Sequence, residues 1–188
     1  MAHHDTREGW LVDAGNRLIS KYVVGMARLT MPPWRVSCGF PKGSRGRGAA
    51  KRIGECWSVE AAADEHANIF ISPVLDDGPR ILDVLLHELI HAGTPGAGHK
   101  GAFVAAAKAV GLVAPWTATT ASDTLAAELS AMAKEIGSYP HGAMVIPEGK
   151  RPGSRLRLWE CPCGIKVRVS SDDFQATCGL CDEAFERR

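Results

Sequence analysis

Two histidines and a glutamate stand together in the run His87-Glu88-Leu89-Ile90-His91, the residues of this chain best suited to chemistry. Residues four positions apart lie on one face of a helix, so His87 and His91 can present both imidazoles to a single metal ion. The pattern H-E-x-x-H is typical of zinc peptidases, in which the glutamate takes a proton from the attacking water. We therefore predict two metal ligands here and Glu88 as the general base. The alternative is a polar helix face whose histidines are solvated or hydrogen-bonded.

A third ligand is predicted at His99, eight residues after the second histidine. Gly93 and Pro95 indicate that the helix ends there and that the chain turns back before an apolar, alanine-rich segment. A histidine at the start of that returning segment can reach the same ion as the other two. A solvent-facing histidine is the alternative, with Asp123 or Glu128 of a later helix then completing the site.

The apolar pattern predicts the helices and strands that must hold these residues in place. Helical spacing indicates helices over 5–29, from near residue 80 to 93, after residue 99, and over 121–136. Segments rich in β-branched and aromatic residues indicate strands over 34–40, 53–58 and 68–72. We expect an α+β fold in which a small three-stranded sheet precedes the metal-binding helix, and in which a sheet edge can hold an extended peptide. The first two strands are expected to form a long hairpin, with Cys38 and Cys56 on either side of its loop.

Tyr139 and His141 follow the last of these helices and are further candidates for the site. Either side chain can reach the metal and stabilise an oxyanion, as second polar groups do in many zinc peptidases. A structural turn that closes the domain is the alternative interpretation of both residues.

Positive charge is concentrated in the segment 41–52, although the chain as a whole has a net charge of only +1. This segment has no acidic residue, contains three glycines, and carries Lys42, Arg45, Arg47, Lys51 and Arg52. Arginine and lysine suit phosphate oxygens, so contact with DNA or RNA is one interpretation of the segment. A solvated hairpin loop, kept soluble by its charge, is the other.

Four of the six cysteines form two close pairs near the C-terminus, namely Cys161, Cys163, Cys178 and Cys181. Each pair adjoins a glycine, and strand-like residues separate the pairs, as in a zinc ribbon whose four thiolates close a tetrahedral site. Disulfides are the alternative, which a reducing cytosol disfavours. We predict one domain over 1–146, a basic linker over 147–155 and a metal-dependent ribbon over 156–188.

Several short motifs together resemble the SprT-like metallopeptidases. They are His-Glu-Leu-Ile-His-Ala at 87–92, Gly-His-Lys-Gly-Ala-Phe at 98–103, Ala-Val-Gly-Leu at 109–112, and the C-terminal cysteines. The resemblance, nearest in style to phage and bacterial members, implies a zincin-like core of an N-terminal helix, a small three-stranded sheet, the H-E-x-x-H helix and following helices. A C-terminal zinc ribbon completes the fold that it implies. It further implies a catalytic zinc on His87, His91 and His99 with Glu88 as general base, and a structural zinc on the cysteines.

The same resemblance implies a protein substrate and an association with DNA, because the Spartan-type relatives degrade proteins crosslinked to DNA. A second class of function stays open, namely a nucleic-acid-binding or transcription-associated zinc protein with a zincin scaffold and little or no peptidase activity. In that protein the basic segment and the ribbon would be the working parts.

Composition agrees with a globular protein of one domain plus a small module, with 188 residues, 45% of them hydrophobic and 23% charged. Neither an apolar run long enough to span a membrane nor a secretory leader is visible, so no membrane partner is expected. We expect a protein of the phage or bacterial cytoplasm, with association with the nucleoid if it binds DNA. The sequence indicates no oligomeric state.

Overall fold

The computed structural model describes residues 4–42, 52–146 and 155–188. Its contacts divide the chain into two units, Met1–Glu148 and Gly149–Arg188, and the described residues together form a mixed α+β structure. The boundary falls within the predicted linker 147–155, of which 147–154 lie outside the described residues. Across the described ranges, no helix is both long and apolar enough to cross a membrane.

The first helix, α1, covers Arg7–Leu18 and begins at Thr6, whose side chain accepts a hydrogen bond from the backbone N–H of Gly9. It continues as π-helical turns over Ile19–Val24, so the helix predicted over 5–29 ends earlier and changes its winding. Tyr22 and Val23 of these turns are buried in the core.

The second helix, α2, covers Gly78–Gly93 and passes through the middle of the first unit. Asp77 caps its N-terminus by accepting a hydrogen bond from the backbone N–H of Arg80, and Pro79 occupies the first turn. Ten of its residues are buried, because α1, the sheet and a later helix all pack against it. The predicted end of this helix at residue 93 is confirmed.

A sheet of three strands covers one side of α2, formed by β1 (Trp34–Cys38), β2 (Gly54–Trp57) and β3 (Ala67–Ile71). The three strands were predicted, but their order is β1-β3-β2, with β1 parallel and β2 antiparallel to β3. The predicted hairpin between the first two strands is therefore wrong. Cys38 and Cys56 are not neighbours across a hairpin either, because β3 separates the strands that carry them.

Burial explains why β3 takes the centre of the sheet. Its side chains alternate between buried and half-buried, and Ala67, Ile69 and Ile71 are all at most 1% exposed. A strand with a fully buried apolar face gains most from neighbours on both sides, whereas Gly54 and Glu55 place β2 at an edge. Proximity in sequence, on which the hairpin prediction depended, does not reflect the stabilisation that a buried strand gains from two neighbours.

The remaining helices of the first unit follow the segment that carries His87, His91 and His99. They are α3 (Ala102–Ala109) and α4 (Asp123–Ile136), joined through a short antiparallel pair, β4 (Leu112–Val113) and β5 (Thr120–Ala121). Helix α4 lies within the predicted range and is capped by the hydroxyl of Ser122. The core of the unit lies between α1, α2, α4 and the inner face of the sheet.

The second unit is a small sheet of β6 (Arg157–Glu160), β7 (Lys166–Val169) and β8 (Glu186–Arg187), in the order β7-β6-β8. Both neighbours of β6 are antiparallel to it. Within residues 155–188, only Cys161 and Cys178 are fully buried. A unit with so little apolar core needs another source of folding energy, and a bound metal is the usual one.

Candidate metal centres

Three imidazoles converge at the C-terminal half of α2, and we call His87, His91 and His99 the histidine site. The Nε2 atom of His91 lies 3.2 Å from that of His87 and 3.1 Å from that of His99. A tetrahedral zinc ion with Zn–N distances of about 2.0–2.1 Å places its nitrogen ligands about 3.3 Å apart. The three nitrogens thus have the spacing that one such ion requires, and they form a group that can hold a metal.

The turn after α2 brings the third histidine back to the first two. Thr94 ends the helix by donating its hydroxyl to the carbonyl of Ile90 at 2.7 Å. Gly96 and Gly98 then take φ angles of 74° and 55°, in the left-handed region that glycine enters without strain. His99 lies in this turn, three residues before α3 begins, rather than at the start of the returning helix as predicted.

Phe103 of α3 forms the floor of the histidine site. Its ring stacks on His91 with 4.3 Å between ring centroids, and it meets His87 and His99 edge-on at 4.9 Å and 5.2 Å. Phe103 is fully buried, so its ring is a fixed surface on which the three imidazoles pack while their Nε2 atoms lie close together.

Thr119 supports the histidine site from a distant part of the chain. Its Oγ1 lies 2.8 Å from Nδ1 of His87, and the residue is only 5% exposed. An Nδ1–H that donates to this oxygen leaves the Nε2 lone pair directed at the metal position. Sequence reasoning missed Thr119, because nothing in the sequence distinguishes it from the other threonines around it. Only the fold places this residue, just before β5, beside His87, which lies 32 positions earlier in the chain.

Burial keeps these imidazoles neutral. It lowers the pKa of His87 to about 3, with further lowering by the neighbouring His91 and His99. Burial, followed by the charge of His99, lowers the pKa of His91 to about 4, and burial lowers that of His99 in the same direction. Neutral imidazole is the form that binds a metal, so the site is ready to do so at neutral pH.

Glu88 lies beside the histidines and is 7% exposed. Burial raises its pKa to about 8, the nearby Glu55 adds to the shift and Arg52 opposes it. A metal dication bound at the histidines would act in the same direction as Arg52. A carboxyl group with a pKa near neutrality is suited to accept a proton and to return it.

An open cleft of about 730 Å³ gives access to the histidines and Glu88. One wall is the edge strand β2 with the residues just before it, 52–56, and the opposite wall is the segment 117–119. Arg52 of the predicted basic segment lies in this wall and pairs with Glu55 at 3.1 Å, while the backbone N–H of Lys42 donates to the same carboxylate. Arg45, Arg47 and Lys51 lie outside the described residues.

The alternative ligands and the predicted oxyanion groups lie outside the cleft. The carboxylate of Glu128 accepts from the hydroxyl of Tyr22 and from Nζ of Lys21, both at 2.7 Å, and Asp123 lies in the first turn of α4. Tyr139 packs edge-on against Trp10 with 5.1 Å between centroids. Neither Asp123, Glu128, Tyr139 nor His141 lines the cleft.

The four cysteines of the second unit also converge, and we call them the cysteine site. Their sulfurs are 3.2 Å apart for Cys161 and Cys181, 3.3 Å for Cys161 and Cys163, and 3.6 Å for Cys163 and Cys178. All six cysteines of the chain are free of disulfides. A tetrahedral zinc ion with Zn–S distances of about 2.3 Å spaces its sulfurs by about 3.8 Å, and the longest of these separations is close to that value. The cluster can hold a metal ion and is consistent with zinc.

Backbone turns shape the cysteine site and favour the thiolate form of Cys178. The backbone N–H of Gly164, at a φ of 92°, donates to the carbonyl of Cys161 at 2.7 Å, and that of Asp182 donates to Cys178 at 2.9 Å. Hydrogen bonds from the backbone N–H groups of Leu180 and Cys181 help to lower the pKa of Cys178 to about 7. A thiol with such a pKa readily gives up its proton to a metal.

Comparison with known proteins adds no relative to these observations. No family model matches the chain, and no curated protein or solved structure matches it. A function for the chain must therefore follow from the two clusters that can hold a metal ion and from what surrounds them.

Proposed function

We propose that this chain is a zinc-dependent peptidase with a zincin-like core of the SprT type and a C-terminal zinc ribbon. One observation carries the proposal: three neutral imidazoles meet at their Nε2 atoms, beside a buried carboxyl group, at the base of an open cleft. Three protein nitrogens leave one position of a tetrahedral ion for water or substrate, which distinguishes a catalytic from a structural site.

The chemistry is divided between the metal and this chain's own side chains. When bound, zinc supplies Lewis acidity and lowers the pKa of water. Glu88 accepts the proton of the water that attacks the peptide carbonyl and returns it to the departing amine. Thr119 holds His87 in the tautomer that keeps Nε2 available, and Phe103 keeps the rings packed.

The edge of the sheet supports a peptide as the substrate. Within the described residues, β2 pairs with β3 alone, so its other edge presents unpaired backbone groups. The same strand forms a wall of the cleft. An extended peptide can pair with that edge and thereby lie across the histidine site, as peptides add to sheet edges in other proteins.

The proposal is tested by Glu88→Gln in the full chain, with an unfolded protein such as reduced casein as substrate. The parent chain should release peptides and carry two zinc ions, whereas the variant should keep both ions and lose about 10²–10⁴-fold in cleavage rate. Glu128→Gln, which changes a carboxylate outside the cleft, serves as the matched control and should retain activity. Undiminished cleavage by Glu88→Gln would refute the mechanism.

We further propose that proteins bound to DNA are among the substrates, on the strength of the sequence resemblance and of the basic segment 41–52. Cleavage of a DNA-binding protein should then be faster when its DNA is present, and the gain should fall with salt. An equal rate with and without DNA would remove this part of the proposal.

A further inference from the structure

A second cavity, of about 470 Å³, lies on the face of the sheet that points away from α2. Phe40, Trp57 and Phe70 form its apolar wall, and Ala61 closes one end. Trp57 is 40% exposed, and Nζ of Lys42 lies 5.7 Å from the centroid of its ring. Three aromatic residues on an outward face contribute little to the core, and this aromatic pocket is open to contact with another molecule.

The strand pairing explains how the aromatic pocket forms. Glu55 stands opposite Phe70, and Trp57 stands opposite Asn68, while the buried Ile69 and Ile71 of β3 point to the other face. Side chains alternate along a strand, so the outward residues of β2 and β3 share one surface. The pocket is therefore built into the same strand that borders the histidine site.

The aromatic pocket and the cleft are continuous along β2. Glu55 lines both cavities, and the flanking Gly54 and Cys56 line the cleft alone. A peptide paired with the free edge of β2 would direct alternate side chains to the two faces of the sheet. Those opposite Glu55 and Trp57 would point to the aromatic pocket, while the backbone between them runs past the histidine site.

We propose that the aromatic pocket is a specificity site that accepts one large apolar side chain of the peptide substrate, within about three residues of the scissile bond. This inference rests on the proposed peptidase function and adds the class of substrate. An aromatic or long aliphatic side chain would be covered by Trp57 and Phe70 and would lose its contact with water. Alanine at the same position of the substrate would leave the aromatic rings exposed to water. A charged residue there would bury its charge.

A nucleic-acid base is the other ligand that could stack on these rings, and the contacts favour a peptide. Glu55 places a carboxylate at the junction of the two cavities, where a phosphate backbone would pass. Of the positive side chains nearest to it, Arg52 is already paired with that carboxylate, and the ammonium of Lys42 lies over the ring of Trp57. An unpaired sheet edge, by contrast, matches a peptide backbone.

The test is the cleavage-site profile of the full chain on a library of peptides derived from a cellular proteome. The parent should favour Phe, Tyr, Leu and Met over Ala by about 10-fold or more in kcat/KM at one position, with no such preference at the adjacent positions. Trp57→Ala should reduce that preference to less than about threefold while cleavage of the least selective sites continues. Ala61→Phe, which fills the pocket without removing an aromatic wall, should shift the preference towards smaller side chains. Met26→Ala, at an exposed apolar residue elsewhere, is the control and should leave the profile unchanged.

The outcomes separate this inference from the proposed function. If the parent cleaves and both Trp57→Ala and Ala61→Phe show the same cleavage-site profile as the parent, the inference is wrong and the proposed peptidase function stands. No cleavage by the parent would overturn both. If Trp57→Ala instead weakens binding of oligothymidylate and leaves the profile as it was, the occupant is a nucleic acid and the inference is wrong.

Discussion

Replacing Gly54 by alanine tests how closely β2 and Glu88 must fit together. A Cβ atom at residue 54 would lie 2.4 Å from Oε1 of Glu88, 2.9 Å from its Cγ and 2.7 Å from Cγ1 of Val84. An ordinary contact begins at 3.4 Å, so the carboxylate oxygen must move by at least 3.4 − 2.4 = 1.0 Å. The carboxyl group is buried and Val84 blocks one side, so this shift displaces the group that accepts the proton.

The magnitude follows from that displacement. A misplacement of about 1 Å in a reacting group lowers the rate by about 10²-fold, which corresponds to about 2.7 kcal/mol in the activation free energy. The added methyl group should also lower the free energy of unfolding by about 1–3 kcal/mol, as overpacked positions do. The zinc content should not change, because the three Nε2 atoms take no part in the clash.

The assay compares kcat/KM for an unfolded protein, zinc per chain and thermal unfolding in Gly54→Ala and the parent. Gly142→Ala is the matched control, since a Cβ there meets no atom within 4 Å. Full activity in Gly54→Ala would show that Glu88 does not need this fit. Loss of zinc together with activity would show that the strand supports the metal ligands rather than the base, and either result would refute the reasoning.

Three further predictions concern the metal sites. Thr119→Val should lower the zinc affinity of the histidine site by about 10–100-fold in a chelator competition, and Thr119→Ser should keep the parent affinity. Equal affinities in the parent and Thr119→Val would show that the hydrogen bond between Thr119 and His87 is dispensable. In metal-free protein, urea titrations should give a free energy of unfolding that is greatest near pH 6.5. Below that pH, His87 and His91 bind protons only when unfolded, and above it Glu88 keeps a proton that the unfolded chain has lost. Each group contributes a slope of about 1.4 kcal/mol per pH unit, so stability rises towards the maximum as two histidines outweigh one carboxyl group and then falls. Glu88→Gln should abolish the fall, and a fall that persists would contradict this assignment. Cys161→Ser should remove one zinc and unfold residues 155–188, seen by limited proteolysis, while the first unit keeps its own zinc; an intact second unit would mean that it folds without metal.

The two candidate metal sites differ in a way that suits different roles. The histidine site opens into a cleft and has a carboxyl group beside it. At the cysteine site four sulfurs surround one point, and no position is left for water. We therefore expect removal of the first metal to abolish chemistry and removal of the second to abolish folding of its own unit.

Local rules allowed the sequence alone to predict much of the candidate site. The helical period places His87 and His91 on one face, and a glycine with a following proline predicts where α2 ends. The spacing of the cysteines likewise predicted the group that the structure brings together. Each of these features depends on residues close in sequence, where backbone geometry leaves few choices.

The position of His99 was predicted in part from local sequence signals and decided in part by tertiary contacts. The glycines after α2 predicted that the chain turns back, and the alternative ligands Asp123 and Glu128 remained open. The packing of His99 against Phe103 and the engagement of Glu128 by Lys21 and Tyr22 distinguish these candidates in the structure.

Other features depended on the tertiary structure alone. The order β1-β3-β2, the hydrogen bond between His87 and Thr119, and the close approach of Gly54 to Glu88 all join residues distant in sequence. Which distant segments meet depends on which apolar faces are buried together, and that free energy belongs to the whole core rather than to any local pattern. The sequence by itself thus determined which residues can bind metal and accept a proton, and the packing of α2 against β2 and β5 decided how they are held.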